Sequence, residues 1–101
     1  MTAAESGSPG NGQVVRYHVL VSGRVQGVFF RDSCQRIAEE HGVAGWVRNL
    51  PDGRVEAVFE GPAGPVGHLV DWTHHGPRHA RVDQVSVRAE PPEGLGAFVI
   101  R

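Results

Sequence analysis

Twice along this chain of 101 residues, apolar spacing passes from a period of two to a period near that of a helix and back. Period two places alternate side chains on opposite faces of a strand, and 3.6 gathers them on one side of a helix, so the pattern calls for strands and helices around one core. Val15, Tyr17, Val19 and Val21 alternate with Arg16, His18, Leu20 and Ser22. This predicts a strand from Val14 with one buried face, ended by the glycine-bounded segment Gly23 to Gly27. Phe30, Cys34, Ile37, Ala38 and His41 then recur at helical spacing before Gly42, a natural stop. Two strands, Gly45 to Asn49 and Arg54 to Glu60, flank Leu50-Pro51-Asp52-Gly53, whose Pro and Gly suit a tight hairpin turn. A second helix is expected from Pro62 to His75, with Val66, Leu69, Val70 and Thr73 inward, Trp72 sealing the edge, and Gly76-Pro77 forbidding continuation. Val82, Val85 and Val87 mark a strand from Arg81 to Ala89; Pro91-Pro92 breaks it before a short last strand, Ala97 to Arg101.

The resulting string is βαββαβ with one added strand. It fits an α+β fold, a ferredoxin-like split βαβ sandwich with two helices on one face of a mostly antiparallel sheet. Residues 14–101 form one domain by this reading, because a chain of this length supports a single core. Residues 1–13 are small, polar and rich in Gly and Pro, and are expected to be a disordered leader. Ten basic residues, all Arg, face eleven acids, so no global field attracts nucleic acid or a membrane surface. No apolar run approaches the ~18 residues of a membrane span. The single cysteine, Cys34, excludes an internal disulfide and a CxxC pair. The expectation is a cytoplasmic monomer without a nucleic-acid or membrane partner.

Gly23 to Arg31 (GRVQGVFFR) lies where a strand hands over to a helix, so several backbone N–H groups there lack intrahelical acceptors. Glycines let the chain curl until those donors converge, and the helix dipole adds positive charge, which suits a phosphate-like anion. Neither a GxxxxGK[ST] nor a GxGxxG pattern is present, which argues against a nucleotide. Arg31 falls in the first helical turn, where a cation meets the positive end of the dipole at a cost of ~0.3–1 kcal/mol. An anion there would reverse the sign, and a guanidinium offers a planar fork of donors matched to two phosphoryl oxygens. On the residues alone the plainer reading stays open for Arg31, and for Arg24: a surface cation in water or beside an acid. Asn49 ends the second strand and by itself reads as a turn residue. Its carboxamide can also accept a hydrogen bond from water and donate one to a phosphoryl oxygen, orienting a nucleophile without titrating.

Val21-Ser22-Gly23-Arg24-Val25-Gln26-Gly27-Val28-Phe29-Phe30-Arg31, and Gly45-Trp46-Val47-Arg48-Asn49 followed by Gly53-Arg54-Val55 and Gly61, resemble the two signatures of acylphosphatases at every fixed position. The resemblance extends over roughly residues 14–101 and implies the same ferredoxin-like fold. It also implies hydrolysis of the carboxyl-phosphate bond of small acyl phosphates, with no metal and no organic cofactor. Carried onto matching positions, Arg31 holds the phosphoryl group and Asn49 orients the attacking water. Val25, Gln26, Gly27, Val28, Phe29 and Phe30, with Arg31, then form the phosphate-binding loop through their backbone donors. Leu50 stands where some members place a hydroxyl residue, so a hydrogen bond to the water from that position is absent.

Other chemistries find less support. His68, Asp71 and His75 share a helix face, but a solvated face explains them and neither signature touches them. Cys34 fits a small core residue, and the CxxxxxR pattern of thiol phosphatases fails because Glu40 stands six positions on. An RNA-binding module would show a [KR]G[FY][GA]FVx[FY] segment, which does not occur. A non-catalytic anion-binding module of the same fold is the remaining alternative.

Overall fold

The computed structural model describes residues 13–101. The leader expected over residues 1–13 lies outside the described residues except for Gln13, whose carbonyl accepts a hydrogen bond from the Ala63 N–H at 3.0 Å. Chain order is β1 (Val14–Arg24), α1 (Phe30–Glu40), β2 (Ala44–Asn49), β3 (Val55–Pro62), α2 (Ala63–Thr73), β4 (Arg81–Glu90) and β5 (Phe98–Ile100). The five strands form one sheet in the order β4-β1-β3-β2-β5. All pairings are antiparallel except β2 with β5, which is parallel. This is the ferredoxin-like α+β arrangement, with the last strand added at the β2 edge.

Alternation in β1 does what period two requires. Val19 and Val21 lie on the core face with Val47 of β2 and Val55, Ala57 and Phe59 of β3, all fully buried. The helices cover this face with Phe30, Cys34 and Ala38 from α1 and Val66 and Leu69 from α2. Burial of each large apolar side chain contributes ~1.5–3 kcal/mol, so this layer is the main source of stability. Trp72 packs its ring 5.0 Å from that of Phe30, joining the two helices at the edge of the core. Phe98 of β5 stacks on Phe59 at 5.9 Å.

Element boundaries differ from expectation in most elements; β2 gains Ala44, and β3 runs Val55–Pro62 where Arg54 to Glu60 was expected. β1 does not end at Gly23: a register shift between Ser22 and Gly23 lets pairing with β4 continue to Arg24. Gly23 takes φ 128°, and a Cβ there would lie 2.2 Å from the Arg81 carbonyl oxygen, so the residue read as a terminator is a bulge that carries the strand onward. α2 is shorter at both ends than Pro62 to His75. Pro62 is extended at ψ 143° and caps it, while His74 and His75 form the closing turn. β4 gains Glu90, and β5 is limited to Phe98–Ile100.

The sheet's other face carries polar pairs. At the end away from the β1–α1 loop, Arg16 (7% exposed) bonds Glu60 (2% exposed) at 3.1 Å and Glu90 at 2.9 Å. The Glu60 carboxylate also accepts hydrogen bonds from the backbone N–H groups of Glu93, Gly94 and Leu95 at 2.7–2.9 Å, which pins the β4–β5 connection. Burial alone would raise the pKa of Glu60, but these amides and Arg16 outweigh it and hold the carboxyl below its ordinary 4.5.

Candidate active site

The β1–α1 loop is shaped by two residues with positive φ, Gly27 at 76° and Phe29 at 64°. Phe29 is the one non-glycine residue of that kind among the described residues, and it caps α1 with no side-chain hydrogen bond. Helical bonding starts with the Ser33 N–H to the Phe29 carbonyl at 3.1 Å. Among the described residues, no turn, loop or cap hydrogen bond is donated by a backbone N–H of residues 25 to 32. This leaves a run of amides at the positive end of a helix, the arrangement that favours an anion.

Side chains along the loop alternate in direction. Val28 and Phe30 turn into the core and anchor it, at 6% and 2% exposure. Gly27, Phe29 and Arg31 face outward and line a cavity of about 320 Å³ together with Val25, Asp32 and Asn49. Arg31 is exposed and forms no ion pair among the described residues. Arg24 does not line the cavity; it ends β1 opposite Arg81.

Asn49 reaches the cavity because of strand order. Val21 pairs with Val55, and Val55 with Asn49, so one row across the sheet runs from the start of the loop to the end of β2. Asn49 shares the core face with Val47, and its Oδ1 is buried with no hydrogen-bond partner, the one such side-chain atom among the described residues. A buried polar atom without a protein partner costs ~1–3 kcal/mol, which singles Asn49 out among the described residues. The expected hairpin turn holds the strand end, with Leu50 N–H to the Arg54 carbonyl at 2.8 Å.

Of the loop residues named from the sequence, Val25, Gly27, Phe29, Phe30 and Arg31 line the cavity with Asn49, and Gln26 and Val28 do not. Gln26 turns toward the hairpin, its Nε2 donating to the Leu50 carbonyl at 2.8 Å and the Arg54 carbonyl at 2.9 Å. One amide group thus ties the loop to the turn directly after Asn49. Sequence alone gives no sign of this, because its acceptors lie in the β2–β3 turn, whose place beside the loop follows from the sheet order. Asp32 is a second residue missed from sequence. It lines the cavity from the first turn of α1, where an acid favours the helix dipole, and that commonplace role hid it.

A larger cavity of about 590 Å³ lies at the opposite end, beside Glu60 and Gly94 to Phe98. Size does not select it, since the buried ionisable group on its wall, Glu60, is already satisfied by Arg16 and three amides. Cys34 is fully buried, and burial pushes its thiol well up, which removes it as a nucleophile. His68 packs against His41 with ring centroids 4.3 Å apart and the rings tilted by 33°. No group of three or more His, Cys, Asp or Glu placed to hold a metal occurs among the described residues, and no helix among them is long and apolar enough to cross a membrane.

Fold and loop together define a ferredoxin-like α+β protein whose first strand-to-helix turn presents free amides and the Arg31 guanidinium to a cavity that Asn49, at the end of β2, also lines. The chain belongs to the acylphosphatase family: the family model described as Acylphosphatase matches residues 17–100. It is 67% identical over 82 residues to a protein named Acylphosphatase from Rubrobacter xylanophilus, covering 81% of this chain and 74% of that one. It is 58% identical over 86 residues to another of that name from Gloeobacter violaceus, covering 85% and 92%. Among solved structures, an acylphosphatase from Coxiella burnetii superposes with a TM-score of 0.84 at 41% identity, covering 87% of this chain and 93% of that one.

Proposed function

We propose that this chain hydrolyses the carboxyl-phosphate bond of small acyl phosphates, releasing a carboxylate and inorganic phosphate. Membership of the family makes it a hydrolase acting on acyl phosphates; the residue roles below are part of the proposal, and the shared cavity supports them. Arg31 and the amides of residues 25 to 30 hold the phosphoryl group. The Asn49 carboxamide orients the attacking water, with the water oxygen toward phosphorus. The water O–P bond forms as the bond from phosphorus to the acyl oxygen breaks, and the proton leaves for a phosphoryl oxygen or bulk water.

These parts suffice chemically. A carboxylate leaving group has a conjugate acid of pKa near ~4–4.5, taking a Glu side chain as proxy, so it departs without a general acid. Phosphoryl transfer through a loose transition state asks mainly for positioning and charge stabilisation. Arg31 and Asn49 come from one chain, so the reading requires no second copy, and it assigns no step to a metal. The observation that carries it is that Asn49, Arg31 and the loop line one cavity.

The test compares benzoyl phosphate with phenyl phosphate, whose phenolate is a poorer leaving group, in the presence and absence of EDTA. Cleavage of benzoyl phosphate alone, unaffected by EDTA, is the expected result. Cleavage of neither, with inorganic phosphate still bound, would favour the non-catalytic anion-binding module.

A further inference from the structure

We propose that the ring of Phe29 selects the acyl group, favouring acyl phosphates with an aryl or bulky apolar acyl moiety over acetyl phosphate. This rests on the hydrolysis proposed above and adds the substrate class.

Phe29 is unfavourable on its own in two independent ways. A non-glycine residue in the left-handed region costs ~1–2 kcal/mol, and Phe29 sits there at φ 64°, ψ 29°. Its ring is also 75% exposed, the most of any large apolar residue described. Glycine would relieve both, as Gly27 shows two residues earlier. Nothing in the core needs the ring, since Val28 and Phe30 on either side already anchor the loop. Strain of this kind collects at functional sites, and the observed outlier motivates a functional reading.

Position supplies the function. The other large apolar residues lining the cavity, Val25 and Phe30, are 1% and 2% exposed, so Phe29 offers the accessible apolar surface there. Phe29 lines the cavity together with Arg31, so in this proposal the acyl group of a substrate held there passes beside its ring. An aryl group can stack on or pack edge-to-face against a phenyl ring, and a methyl group covers far less of it. The discrimination expected from such a pair is about 3- to 10-fold.

The experiment measures kcat and KM for benzoyl phosphate and acetyl phosphate in the wild type, Phe29→Asn and Phe29→Tyr. Asn tolerates the left-handed conformation, so the loop keeps its shape while the ring is lost. The ratio of kcat/KM for benzoyl over acetyl phosphate should fall about 3- to 10-fold in Phe29→Asn, mainly through KM, and return with Phe29→Tyr. An unchanged ratio would overturn the proposal, including the case where both substrates lose activity equally because residue 29 only shapes the loop. Wild-type protein that cleaves neither substrate would instead sink the underlying hydrolysis, and the proposal with it.

Discussion

Opposite ends of the sheet hold two similar sets of parts that differ in who supplies the anion. At one end three consecutive amides and the Arg16 guanidinium surround a carboxylate that belongs to the chain, Glu60. At the other, the amides of residues 25 to 32 and the Arg31 guanidinium receive no carboxylate from the described residues, although Asp32 lies on the cavity wall. Local peptide chemistry builds both cradles; what separates structural from functional is whether the fold fills the cradle itself. The Glu60 end fills its cradle from within, and the loop end leaves its donors unpartnered among the described residues, as the proposed anion site requires.

This contrast breaks if the two ends respond alike to mutation. The largest effect is expected for Glu60→Ala, which leaves Arg16 and three amides short of a partner and should lower stability by about 3–5 kcal/mol in urea unfolding. Glu60 and Glu90 both sit below their ordinary 4.5, Glu60 by the balance described and Glu90 first through its hydrogen bond from Arg16. Depressed carboxyl values add stability that is complete above about pH 4.5 and lost as pH falls through the lower folded-state values. Wild-type Tm should therefore drop on acidification below that point, and less steeply in the variant.

Arg31→Ala and Asn49→Ala should each lower kcat at least ~100-fold, the scale of a lost transition-state donor at about 2.7–4 kcal/mol. Their Tm should stay close to wild type; Asn49→Ala removes a polar atom that has no partner to lose. Wild-type turnover by either would end its assigned role. A smaller effect is expected from the Gln26 side chain, which ties the loop to the hairpin. Gln26→Ala should lower kcat about 10-fold by loosening the alignment of loop and Asn49. Gln26→Glu should fall further, because it sets a carboxylate against the Leu50 and Arg54 carbonyls. Smallest of all, Asp32→Asn should tighten competitive inhibition by inorganic phosphate about twofold, since an exposed like charge at the rim is largely screened.

Much of the architecture was legible because periodicity reports burial directly. The Val15 to Val21 alternation, the helix running through Phe30, Cys34 and Ala38, and the Leu50 to Gly53 turn all follow from local rules. The two signature segments likewise pointed to Arg31 and Asn49. Less local features were not readable. Gly23 looked like a strand end and is a bulge, because a glycine's meaning depends on the neighbouring strand. The bonds of Gln26 to the hairpin, the lone Oδ1 of Asn49 and the amides around Glu60 all join residues distant in sequence. Phe29 at positive φ runs against its residue type, and no pattern of types can announce such an exception.

Strand order has a last consequence. Arg31 follows β1 and Asn49 ends β2, yet β3, made after both, lies between them in the sheet. Neither the first hairpin nor any fragment ending before residue 55 brings the two residues together. Insertion of β3 closes the long-range pairings, the slow kind of contact. In a refolding experiment, enzymatic activity should accordingly return with the final sheet and never ahead of it, making catalysis a reporter of completed assembly.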